Sequence, residues 1–64
     1  MNFELYERVK IKKNGVTGQI VDISERESGT VHIVESDTKG KRSDADYPTI
    51  WPLYDCKPDE MIKL

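Results

Sequence analysis

Apolar residues along this chain fall at alternate positions over short stretches. They never recur at the three- and four-residue steps that mark an amphipathic helix. In Tyr6–Lys13, Val9 and Ile11 alternate with Arg8, Lys10 and Lys12, which predicts a strand with one buried and one charged face. Asn14-Gly15 then signals a turn, and Gly18 marks a bend or a close backbone approach. In Gln19–Ser24 the apolar positions are 20, 21 and 23, so strict alternation fails. A bulge or a sharp bend would let Ile20 and Ile23 both face inward. Glu25–Gly29 reads as a polar hairpin loop and Thr30–Glu35 as a third, β-branched strand.

Ser36–Asp46 has almost nothing to bury and is expected to be the longest and most mobile loop. Tyr47–Tyr54 contains Pro48 and Pro52, which lack amide donors, so this run is expected at a sheet edge or as an irregular extended segment. Pro58-Asp59-Glu60 suits a short 3-10 turn, and Met61–Leu64 a closing strand. The whole is an all-β single domain over residues 1–64. Five short strands, a long third loop and a turn before the last strand describe a small SH3-like barrel. An OB-like barrel, which generally uses longer strands, is the alternative. The expected interior is Val9, Ile11, Ile20, Ile23, Val31, Ile33 and Trp51, with Trp51 plugging one end.

A chain of 64 residues leaves no room for a deep substrate cleft beside a core, so a groove or an exposed face is the expected working surface. One cysteine cannot form an internal disulfide, and no cysteine–histidine cluster suggests a structural metal. The start of the chain lacks the basic and apolar regions of a signal peptide, and no stretch approaches a membrane span, so the cytoplasm is the expected compartment. Ten basic against twelve acidic residues give a net charge of −2. That balance argues against general nucleic-acid binding.

Two groups of residues are candidate binding sites. Arg8, Lys10 and Lys12, extended by Lys13, form a basic stripe that could follow phosphates. The same stripe is also what the solvated face of a half-buried strand looks like. Tyr47, Trp51 and Tyr54 are candidate anchors for a protein or peptide, since aromatics and prolines build grooves for extended peptides. For Trp51 the competing role is in the core. His32 has no partners at metal-ligand or general-base spacing, although Asp22 on the neighbouring strand is a possible companion. It is expected at the surface or half-buried. Cys56 is expected to be a buried, unreactive thiol. Asp44, Asp46, Asp55, Asp59 and Glu60 do not follow a calcium-loop spacing and read as a solvated acidic rim. No catalytic constellation, cofactor motif or metal set emerges. The expectation is a non-catalytic module, monomeric or weakly dimeric, that binds another protein, with RNA the lesser alternative.

The segment Val9-Lys10-Ile11, followed by Gly15-Val16-Thr17-Gly18-Gln19-Ile20-Val21-Asp22-Ile23, resembles the strand–turn–strand start of KOW-type and related small bacterial SH3-like domains. Cys56–Leu64 resembles the turn and strand that close those barrels. The resemblance implies the fold and, for KOW-type domains, binding to ribosomal or polymerase-associated RNA and proteins. This chain departs from them in being acidic overall.

Overall fold

The computed structural model describes residues 3–64. Met1 and Asn2, which belong to the single-domain reading and to the reading of the N terminus as leaderless, lie outside the described residues. The chain is all-β: β1 (Arg8–Ile11), β2 (Thr17–Arg26), β3 (Gly29–Ser36), β4 (Leu53–Cys56), a 3-10 turn (Pro58–Glu60) and β5 (Met61–Lys63). The strands form one antiparallel sheet in the order β4-β3-β2-β1-β5. No helix of the described residues is long and apolar enough to cross a membrane.

The sheet has no helix to cover it, yet Val9, Ile20, Val34 and Tyr54 are almost wholly shielded from solvent. A single sheet can do this only by curling until its inner face meets itself. β1 supplies Val9 and Ile11, β2 supplies Ile20, β3 supplies Val34, β4 supplies Tyr54 and Cys56, and β5 supplies Met61 to one cluster. The edge strands β4 and β5 do not pair with each other, so hydrogen bonds leave the curled sheet open between them. The number of strands and the 3-10 turn before β5 match the expectation, and three strands are only three or four residues long.

The bulge foreseen in the second run is present. Ile20 pairs with Val34 and the next register pair is Asp22 with Ile33, leaving Val21 as the extra residue. Asp22 folds back on this kink, its Oδ1 accepting the amide of Ile23 at 2.9 Å. Gly18 sits where β2 is paired on both sides, opposite Val9 and Ser36. The 3-10 turn starts on Pro58, and the Glu60 carboxylate accepts the Lys57 amide at 2.8 Å. Its last carbonyl accepts the Lys12 amide at 2.9 Å, which fastens the turn to the end of β1.

Ile23, Ile33 and Trp51, expected in the core, are elsewhere. β3 presents His32, Val34 and Ser36 inward, so Ile33 is half-buried on the outer face, and Val31, although buried, lies outside the main cluster. Because side chains alternate with a period of two, choosing 31 and 33 over 32 and 34 inverts the strand. The pairing of Val34 with both Ile20 and Tyr54 settles the phase. Ile23 lies opposite buried His32, but the β2–β3 hairpin runs past the end of the core there and leaves it 37% exposed. Trp51 is 44% exposed. The aromatic residues of the core are Tyr54 and Phe3, whose ring meets His32 edge-on at 5.8 Å between centroids.

Candidate interaction surface

The segment from Asp37 to Pro52 joins β3 to β4 and contains one isolated bridge. The long loop expected to be mobile is tied down along its length. At its base the Ser36 amide donates to the Pro52 carbonyl at 2.9 Å and the Asp37 amide to the Thr17 carbonyl at 3.0 Å. Midway, the Gly40 amide donates to the Ile50 carbonyl at 2.7 Å. Gly40 has φ of +128°, a conformation that side chains disfavour. Tyr47 and Leu53 exchange both of their backbone hydrogen bonds at 3.1 Å, which covers the free edge of β4.

The acids of this loop act as fasteners where a solvated rim was expected. Asp44 accepts the buried Tyr54 hydroxyl at 3.2 Å, two bonds from Arg42 at 3.0 Å, and a longer one from Asn14 at 3.4 Å. Burial pushes the Tyr54 hydroxyl up from its ordinary pKa, and the neighbouring Asp44 carboxylate adds to this. Asp46 accepts the Asp55 amide at 2.8 Å, continuing the cover over the β4 edge. Asp55 in turn accepts the Tyr47 hydroxyl at 3.2 Å and lies 3.5 Å from Arg26. Nothing in the composition of Ser36–Asp46 marks these contacts, because they depend on where β4 and the β1–β2 turn lie in space.

Of the three aromatic candidates, Tyr54 is a correction. It is 1% exposed and belongs to the core, since its position faces Val34 on the inner side of β3. Tyr47 and Trp51 remain at the surface, at 39% and 44% exposure, and are joined by Ile50 at 57%. The segment carrying them is tightly turned. The Thr49 amide donates to the Tyr47 carbonyl at 2.8 Å across Pro48, whose fixed φ suits a three-residue turn. The Thr49 hydroxyl donates to the Trp51 carbonyl at 2.7 Å. Single exposed apolar residues are ordinary, but here three large ones lie within five positions of one fastened loop.

The basic stripe is only partly available. Arg8 makes a two-pronged pair with Asp37, one arm at 2.8 Å. This pair holds the Asp37 carboxyl below its ordinary range. Lys10 is exposed between its cross-strand neighbours Thr17 and Ile62. Lys12 and Lys13 are exposed in the turn after β1, and Lys12 also lines a hollow of about 310 Å³ with Pro58, Asp59 and Met61.

His32 is buried, against the expectation of an exposed or half-buried position, and among the described residues its Nδ1 has no hydrogen-bond partner. Asp22 does not reach it: the cross-strand neighbours of His32 are Ile23 and Cys56. Among the described residues no three of His, Cys, Asp and Glu are grouped to hold a metal. Cys56 is buried, as expected, and burial pushes its thiol up to about 12, with the Glu60 and Asp46 charges adding to the shift. The folded state therefore holds the thiol proton more tightly than the unfolded chain, whose thiol keeps the ordinary value of 9.0. This contribution to stability is present below pH 9 and is lost as pH rises toward 12. Thiol labelling with a disulfide reagent should accordingly be slow on the native chain and immediate in denaturant. The urea midpoint should fall over the same alkaline interval. Rapid labelling of native protein would contradict the burial of Cys56.

No protein-family model, curated protein or solved structure matches the chain.

Proposed function

We propose that this chain is a non-catalytic interaction module whose contact surface is the Tyr47–Trp51 segment, and that its partner is a segment of another protein. One observation carries this reading. Tyr47, Ile50 and Trp51 are held in solvent by a loop that is hydrogen-bonded at its base, middle and edge. Unanchored apolar side chains on a soft loop would fold back onto the nearest apolar surface. Here the fasteners order the segment that carries them, so a partner binding this surface would lose little ordering entropy. Aromatic anchors near the centre of a contact are where binding energy concentrates.

An SH3-like barrel in the cytoplasm fits this role. The strand order and the 3-10 turn support that architecture, and kinship with bacterial KOW-type domains rests on residues 9–23 and 56–64 alone. The nucleic-acid reading of Arg8, Lys10, Lys12 and Lys13 has less support, because Arg8 is already engaged by Asp37.

A phage-displayed library of random dodecapeptides, selected on the immobilised chain, tests the proposal. Selected peptides should shift the emission of Trp51, the chain's only tryptophan, and perturb amide resonances within residues 39–53. Trp51→Ala should weaken them by about thirtyfold, the effect of an interface residue worth ~2 kcal/mol. Its urea midpoint should stay close to that of the parent chain, because the indole is outside the core. Peptides that bind Trp51→Ala as tightly as the parent would place the contact elsewhere.

A further inference from the structure

The charges of the β3–β4 loop are sorted along its length. Two of its acids are ion-paired, Asp37 with Arg8 and Asp44 with Arg42, while Asp46 keeps its charge and accepts the Asp55 amide. Two lysines are left over. Among the described residues neither Lys39 nor Lys41 forms an ion pair, and both are exposed. They flank Gly40, whose amide is bonded to the Ile50 carbonyl. Successive Cα atoms lie ~3.8 Å apart, so this one hydrogen bond brings the backbone of Lys39 and Lys41 alongside that of Ile50 and Trp51. The Tyr47 end of the segment is the acidic end, where Asp46 and Asp55 sit.

From this sorting we infer that the partner segment is an acidic peptide, one that places an apolar side chain against Ile50 and Trp51 and its carboxylates against Lys39 and Lys41. The inference rests on the proposed reading of the Tyr47–Trp51 surface and adds the chemistry of what it binds. Charge complementarity selects the occupant. A carboxylate beside an apolar residue matches two lysines without ion pairs on the stretch of chain bonded to Ile50, whereas a basic segment would meet the same lysines with repulsion. A nucleic acid strand fits less well, because Ile50, the most exposed apolar residue of the segment, offers no face for base stacking.

The test uses the full chain and the peptides recovered by the selection described above. The recovered sequences should carry Asp or Glu next to Leu, Ile or Phe. Replacing their acids by Asn or Gln should weaken binding about tenfold, and added salt should weaken it further. The double variant Lys39→Glu/Lys41→Glu should lose the same factor while keeping the parental urea midpoint. Trp51-dependent peptides with no acidic excess, or unchanged affinity in the double variant, would overturn the acidic partner and leave the surface standing. Recovery of no Trp51-dependent peptide would remove the surface itself. A single-stranded oligouridylate that quenches Trp51 more strongly than any peptide, and loses this in the double variant, would replace the peptide with a nucleic acid.

Discussion

Gly18→Ala is expected to leave the chain largely unfolded. A Cβ built at this position falls well inside van der Waals contact of the Glu35 carbonyl oxygen, and 2.9 Å from both the Glu35 carbonyl carbon and Val34 Cγ1. Two of these three atoms are backbone of the neighbouring strand, so no rotamer change relieves the clash. Only separating β2 from β3 does so, and that pairing is the longest in the sheet. Ordinary overpacking costs ~1–3 kcal/mol, and a clash with backbone belongs at or above the top of that range. A domain of this size has only about 3–10 kcal/mol of total stability to lose. The expected readout is collapse of amide dispersion and loss of the cooperative urea transition. A parental urea midpoint for Gly18→Ala would show that β2 and β3 do not approach as closely as described.

Tyr54→Ala is the second large effect, and it separates core from surface among the aromatics. Tyr54 is 1% exposed and is the largest of the fully buried side chains. Truncating a buried aromatic costs about 3–5 kcal/mol through lost transfer energy and the cavity left behind. The same change also removes the hydroxyl that anchors Asp44. Tyr54→Phe isolates that second part and should cost about 1 kcal/mol, because it deletes one hydrogen bond and keeps the ring. Trp51→Ala, three residues earlier, should be close to neutral for stability and severe for binding. Urea denaturation of the three variants checks the ordering. If Trp51→Ala proves the most destabilising, the indole belongs inside the core after all, and the proposed contact surface loses its centre.

Much of the architecture was legible from local chemistry. The alternation in β1, the bulge at Val21, the reason for glycine at 18 and the Pro58 turn each depend on a few neighbouring residues. Each is a backbone or pleat effect that a short segment imposes on itself. The site was less legible. Tyr47 and Trp51 were visible as candidates, but Ile50 was not, and neither was the role of Asp44 and Asp46 in holding the segment out. Those contacts join residues about ten positions apart, or more, and no local pattern encodes them.

The sequence by itself determined an all-β chain with a long third connection, because alternating apolar residues, glycines and prolines act within a few positions of themselves. Tertiary structure alone decided which aromatic fills the interior. Val31, Ile33 and Val34 allow either phase of β3, and only pairing with Ile20 and Tyr54 on the flanking strands selects the one that turns Val34 inward. Once Tyr54 and Phe3 occupy the core, Trp51 has no interior left to enter. Core volume is shared by the whole fold, so the side chain it excludes is known only when every strand is in place.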